Sequence, residues 1–226
     1  MSTHFDLTLY LVTEGTHRSE EAFLTTIEQA LQGGVTLLQL REKTGTTAQI
    51  LERAQKIKAL ADRYGVPLVI DDRVDIALAV DCAGVHLGQE DLSVSVARKI
   101  LGPDKIIGAT AKTVPDALRV QKEGADYLGV GAIYPTKTKV KTKITAVSTL
   151  NDIAAATRLP IVAIGGLDEN NLECLKHSQA SGIAVVRALM DYPDPKRAAQ
   201  RLRAAIDALA LKGARHEVLR PMDLDR

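Results

Sequence analysis

Four groups of residues capable of chemistry punctuate this chain of 226 residues, each following a short apolar run. The first is Gln39, Arg41 and Lys43, with Glu42 between them. Alternate residues on a strand share a face, so Gln39 and Arg41 point the same way. Arg presents a planar fork that matches phosphate oxygens, and Lys adds a mobile point charge. A strand end passing into solvent, with Glu42 neutralising a neighbour, accounts for the same residues equally well. The second group is Asp71-Asp72, joined by Asp91 after Gly88-Gln89-Glu90. Carboxylates from adjacent strand ends can share a hard cation, and Mg²⁺ is usually held by one or two carboxylates plus phosphates and waters. Taken singly, Asp72 reads as a cap for a helix starting near Val74, and Asp91 for one starting near Ser93. Both together, one strand from a basic cluster, favour a metal-bridged diphosphate.

The third group is the stretch 135–143, with four Lys and three Thr in nine residues. It reads as a cationic loop with hydroxyl donors, able to close over phosphorylated ligands or simply to sit solvated. The fourth is Ile164-Gly165-Gly166, with Val186-Arg187 at the end of the last apolar run. Backbone N–H groups that Gly leaves accessible can cradle a phosphate, and a tight turn would need Gly as well. No G-x-S-x-G or H-E-x-x-H pattern is present, and His4, His17, His177 and His216 lack partners at metal spacing. His86, inside an apolar run, reads as a satisfied interior residue. Cations, carboxylates and hydroxyls without a nucleophile suit a reaction in which an anionic group departs and electrostatics carries the barrier.

These groups need a scaffold that gathers strand ends on one rim. Strand patterns fall at 7–13, 36–41, 68–72, 85–88, 105–110, 127–131, 161–165 and 183–187. Helical periodicity fills 20–32, 48–64, 74–80, 94–101, 115–123, 147–157, 170–177 and 195–211. Runs such as 68–70 are apolar on both faces, as in a buried parallel sheet. Gly33-Gly34-Val35, Ala83-Gly84-Val85, Gly124-Ala125-Asp126 and Ser181-Gly182-Ile183 introduce every second strand, a repeat that supports continuous βα units. Eight strands alternating with eight helices predict an α/β fold, a single (β/α)₈ TIM barrel. An open doubly wound sheet is the rival, but 13–16 carries no G-x-G-x-x-G turn. The barrel is expected over 1–211, followed by a polar C-terminal tail at 212–226.

Composition narrows the function classes. Net charge is +1 and aromatic content 3%, which gives neither the field nor the stacking surface for nucleic acid. No stretch approaches the roughly 20 apolar residues that cross a bilayer, and 1–6 lacks a basic signal-peptide start, so a soluble cytoplasmic protein is expected. Cys82 and Cys174 read as two buried thiols rather than a disulfide. A homo-oligomer is compatible with all of this.

From about Leu7 to Ala210 the sequence resembles the thiamine-phosphate synthase family. The resemblance is carried by Gln39-Leu-Arg-Glu-Lys43, Asp72-Arg73, Gly84-Val-His-Leu-Gly-Gln-Glu-Asp91, Gly129-Val-Gly-Ala-Ile-Tyr-Pro-Thr-Lys-Thr-Lys139 and Ile164-Gly-Gly166. It implies a Mg²⁺-dependent enzyme that joins hydroxymethylpyrimidine diphosphate to hydroxyethylthiazole phosphate and releases pyrophosphate. It implies that Gln39, Arg41, Lys43, Asp71, Thr110 and Lys139 hold the pyrimidine diphosphate, with Arg41, Lys43 and Lys139 stabilising the leaving group. Asp72 and Asp91 would bind the metal. Thr136, Thr138, Gly166, Val186 and Arg187 would line the thiazole phosphate pocket. Asp71 stands where the family usually has Asn, Arg187 where it has Ser, and Thr110 where it has Ser. A related thiazole tautomerase is the nearest alternative, but its His before Phe-Pro-Thr is replaced here by Ala132-Ile133. A non-catalytic, regulatory ligand-binding barrel is the other.

Overall fold

The chain is described by a computed structural model covering residues 5–14, 19–136, 143–211 and, by backbone alone, 215–216. Thr138 and Lys139 lie outside the described residues. The strands are β1 (Phe5–Asp6), β2 (Leu9–Val12), β3 (Leu37–Leu40), β4 (Leu68–Asp71), β5 (Gly84–Leu87), β6 (Ile106–Thr110), β7 (Tyr127–Gly131), β8 (Ile161–Ile164), β9 (Gly182–Val185) and β10 (Arg215–His216). The helices are α1 (Glu20–Gln32), α2 (Thr47–Arg63), α3 (Val74–Ala79), α4 (Val94–Leu101), α5 (Val114–Glu123), α6 (Val147–Ala156), α7 (Arg187–Met190) and α8 (Pro195–Leu209). Strands β2 to β9 pair in chain order, and β9 returns to β2 to close a barrel. The pairs closing it on either side of β2 are parallel. Closure removes the edges of this sheet and puts the carboxyl ends of its eight strands on one rim.

Two apolar layers hold the barrel. Outward residues such as Leu38, Leu40, Ile70 and Leu128 pack on helical Phe23, Ile57, Val120 and Leu202. Inward residues Tyr10, Leu37, Val69, Ile106, Tyr127 and Val162 fill the interior. The alternation of Leu38 and Leu40 against Leu37 and Gln39 is the two-residue period of a strand. Helix starts are capped by Ser19, Thr46, Ser93, Thr113 and Asp194, whose side chains accept backbone N–H groups. Asp72 and Asp91 are not caps. Ser93 caps α4, and α3, preceded by Arg73, has no side-chain cap. The two carboxylates are therefore not committed to helix starts.

The structure corrects several expectations. The first predicted strand, 7–13, narrows to Leu9–Val12, because Asp6 Oδ1 accepts from the Thr8 backbone N–H at 2.8 Å and bends the chain just before it. The helix expected at 170–177 is only a 3₁₀ turn, Leu172–Leu175. Asp168 and Asn171 spend their side chains on local backbone N–H groups there, which competes with helix formation. The last barrel strand ends at Val185, so Val186-Arg187 open the short helix α7 instead of ending the strand. Cys82 is buried, its thiol donating to the Gly84 carbonyl at 3.3 Å, but Cys174 is exposed, and neither forms a disulfide. Two residues of the predicted tail, Arg215–His216, pair antiparallel with Phe5–Asp6. Among the described residues no helix is long and apolar enough to cross a membrane.

Candidate active site

The segment after β3 alternates between the rim and the helices. Gln39 is buried inside the barrel. Glu42 turns outward and is buried in an ion pair with Arg53 of α2, which also reaches Glu20 at 2.6 Å and lies over the Phe23 ring. The Arg41 backbone N–H donates to the Thr13 hydroxyl at 3.1 Å. These anchors leave Arg41 and Lys43 facing the end of β4. There the Lys43 ammonium lies 2.5 Å from Asp71 Oδ2 and also contacts Asp72 Oδ2. Arg41 Nε stands 3.9 Å from the same Asp71 oxygen, at the limit of an ion pair. Asp71 Oδ2 is buried, and its close contact with Lys43 lacks the alignment of a well-directed hydrogen bond. Burial pushes the Asp71 carboxyl above its ordinary pKa, and the nearby Lys43 only partly offsets this. Burial lowers the Lys43 ammonium, but Asp71 and Asp72 outweigh it and hold it above its ordinary value. Asp72 adopts φ +53°, a left-handed conformation that Asp tolerates, with its N–H donating to the His86 carbonyl at 2.9 Å.

Across the rim, Asp91 Oδ2 accepts from the Gly88 N–H at 2.7 Å, which holds the loop after β5 in place. Asp91 and Thr110 line one cleft of about 160 Å³. A chain of hydrogen bonds inside the barrel connects Gln39 with Thr110. Gln39 Nε2 donates to Tyr10 Oη at 2.5 Å, and Tyr10 Oη lies 2.9 Å from Tyr127 Oη. Tyr127 Oη is 3.1 Å from His86 Nδ1, and His86 Nε2 is 3.1 Å from the Thr110 hydroxyl. Burial lowers the His86 pKa to about 4, with Asp91 opposing and Lys43 reinforcing the shift. Burial raises both tyrosines well above their ordinary values. All three side chains are therefore neutral near pH 7. His86 is the satisfied interior residue that the sequence led us to expect. Tyr10 and Tyr127 had no sequence signal beyond two aromatic residues in otherwise aliphatic strands.

The second part of the rim is built from backbone. Gly165 and Gly166 have φ +102° and +66°. A Cβ on Gly166 would lie 2.6 Å from the Pro135 carbonyl, so the turn after β8 packs directly on the loop after β7. Asn171 Nδ2 donates to the Gly166 carbonyl at 2.8 Å. Thr136, half-buried, follows Pro135 in that loop. Val186 packs on the interior cluster, whereas Arg187 is half-exposed with its Nε 2.7 Å from Asp191 Oδ2.

Residues 9–189 match the family described as thiamine monophosphate synthase. The chain belongs to this family. It is 53% identical over 188 residues to thiamine-phosphate synthase 2 of Streptococcus pneumoniae, covering 83% of this chain and 90% of that one. It is 47% identical over 199 residues to thiamine-phosphate synthase of Clostridium tetani, covering 88% and 95%. Among solved structures, thiamine phosphate pyrophosphorylase of Pyrococcus furiosus superposes with a TM-score of 0.82 at 35% identity, over 90% of this chain and 96% of that one. A 3-hexulose-6-phosphate synthase, at TM-score 0.65 and 20% identity over 88% of this chain and 99% of its own, shares the fold. In this thiamine monophosphate synthase family member, the groups expected from sequence at the ends of β3, β4, β5 and β6 converge on one rim. The Val186-Arg187 pair sits on a helix start instead.

Proposed function

We propose that this chain is a thiamine-phosphate synthase. It would condense 4-amino-2-methyl-5-hydroxymethylpyrimidine diphosphate with 4-methyl-5-(2-hydroxyethyl)thiazole phosphate, yielding thiamine phosphate and pyrophosphate. The observation that carries this reading is the Arg41–Lys43–Asp71–Asp72 cluster, which sets two cations against two carboxylates at adjacent strand ends. Such a set suits a diphosphate that arrives with a hard cation. The end of β4 already attracts positive charge, since both of its carboxylates hold the Lys43 ammonium. Asp72 and Asp91 would hold Mg²⁺, with phosphate oxygens and water completing its shell. Bound there, the ion would act as a Lewis acid on the departing pyrophosphate.

The chain's own residues would supply the rest. Arg41 and Lys43 clamp the diphosphate and take up the charge that develops as the bond to the pyrimidine methylene lengthens. Lys139 adds a third cation. Electron donation from the amino-substituted ring makes this departure dissociative, so the protein needs no nucleophile of its own. Gln39, Asp71 and Thr110 orient the pyrimidine half. Thr136, Thr138, Gly166, Val186 and Arg187 hold the thiazole phosphate, and the thiazole nitrogen captures the exposed methylene carbon. Holding the two rings in contact removes much of the entropic barrier. The barrel over 1–211 would be the whole catalytic unit, acting in the cytoplasm on small phosphorylated molecules.

The deciding measurement is pyrophosphate release with both substrates present, with and without Mg²⁺. Metal-dependent release of one pyrophosphate per thiamine phosphate is expected. Consumption of thiazole phosphate without pyrophosphate would point to a tautomerase, and binding without turnover to a regulatory barrel.

A further inference from the structure

We infer that Tyr10 and Tyr127 are positioning residues: with Gln39 and His86 they form a one-way chain of donors that fixes His86 as its Nε2–H tautomer and turns the Thr110 hydroxyl hydrogen toward the substrate. The direction follows from counting protons. Gln39 Nε2 can only donate, so Tyr10 Oη accepts from it. The Tyr10 O–H then has Tyr127 Oη as its acceptor among the described residues. Tyr127 in turn donates to His86 Nδ1, the ring atom 3.1 Å away. A neutral imidazole that accepts at Nδ1 carries its proton on Nε2 and donates to Thr110 Oγ1 at 3.1 Å. The Thr110 hydroxyl, having accepted, is left with its hydrogen to give.

The opposite direction satisfies the same distances only if the Gln39 amide is turned over. It would then spend the Thr110 hydrogen on His86 and face an anionic ligand with a lone pair. In the inferred direction, the two ends are complementary to a bipolar ligand. Gln39 Oε1 offers an acceptor to an amino group, and Thr110 offers a donor to a phosphate oxygen.

The seats of the two rings are built for them. A Cβ on Gly108, the residue paired with Tyr127 on the adjacent strand, would lie 2.1 Å from Tyr127 Cζ. A Cβ on Gly129 would press on His86 Cε1 at 3.1 Å. Tyr10 and Tyr127 are fully buried, and their rings meet edge to face. A tyrosine retained in such a place must satisfy its hydroxyl, and phenylalanine would fill the same volume without that obligation. The consequence for the pyrimidine diphosphate rests on the synthase reading above, whereas the tautomer does not.

The test is ¹⁵N–¹H long-range NMR of the imidazoles in the full chain at neutral pH, with His86→Gln used to assign the signal. His86 is expected with Nδ1 unprotonated and Nε2 protonated. In Tyr127→Phe this signature should shift toward the other tautomer, and KM for the pyrimidine diphosphate should rise about tenfold, the size of one buried hydrogen bond undone. KM for the thiazole phosphate should not change. Tyr10→Phe should raise the same KM while leaving the His86 tautomer in place, because Tyr127 still donates. An Nδ1–H tautomer in the parent protein overturns the inference, as does a Tyr127→Phe variant with unaltered tautomer. A role confined to packing would lower the melting temperature and move neither the tautomer nor the KM ratio. If the parent protein makes no thiamine phosphate, the functional reading fails, and the tautomer still decides the chain.

Discussion

The two parts of the rim are made of different material. At the ends of β3 to β6 the groups are side chains, Arg41, Lys43, Asp71, Asp72 and Thr110, held by one another and by a polar chain within the barrel. After β7 and β8 the contacts are mainly backbone, with two glycines in left-handed conformations, Gly165 pressed against Ala132 and Gly166 against the Tyr134-Pro135 segment. The first region is set by charge, and substitutions there should change the chemistry. The second is set by space, and substitutions there should change the fit.

The largest effect should come from Asp72→Ala. Loss of a metal-holding carboxylate should lower kcat/KM by about two to three orders of magnitude while the circular dichroism spectrum is retained. Undiminished turnover at limiting Mg²⁺ would remove Asp72 from the metal site and blur the contrast between the two regions.

Acid should act on the first region next. His86 is held at a pKa of about 4 against an ordinary 6.5, so the folded state resists its protonation. Its contribution is fully present above pH 6.5 and is lost as pH falls toward 4, a change of about 3 kcal/mol. Urea unfolding at pH 7 and pH 4.5 should show a smaller acid loss in His86→Gln than in the parent. Equal losses would show that His86 is solvated in the fold.

The second region should respond to volume. In Gly166→Ala the new Cβ meets the Pro135 carbonyl at 2.6 Å in a left-handed conformation. Stability should fall by about 2 kcal/mol, and KM for the thiazole phosphate should rise while that for the pyrimidine diphosphate holds. A rise in both KM values would mean that the two regions are mechanically coupled. The smallest change is expected of Arg187→Ser. Arg187 is half-exposed and already paired with Asp191, so thiazole phosphate KM should shift only about two- to fivefold. Identical kinetics would make Arg187 a bystander.

The barrel was legible because its strands are short apolar runs whose polar termini mark one rim. Helices α1 and α4 fall where periodicity placed them, at Glu20–Gln32 and Val94–Leu101. The start of α7 was not legible, since Val185-Val186 continues an apolar run and nothing local marks the turn after Val185. The 3₁₀ turn at Leu172–Leu175 was obscured for the opposite reason, because helical spacing overrode the Asp and Asn side chains that compete for the backbone. The charged half of the site could be read from residue type. The Tyr10–Tyr127 contact could not, for it joins residues 117 positions apart and depends on Gly108 leaving room.

Phe5 gives that interior chain its floor. It is buried in the interior cluster with its ring centroid 5.6 Å from that of Tyr127, and Leu37, Val69 and Ile106 join it in the same apolar layer. The file of hydroxyl, imidazole and amide groups therefore begins and ends at the same face of the barrel, with hydrocarbon sealing the other side. It is closed to proton traffic through the molecule. The chain serves as a ruler for the site rather than a wire to the solvent beyond it, and opening the floor to water would blunt it without touching a single rim residue.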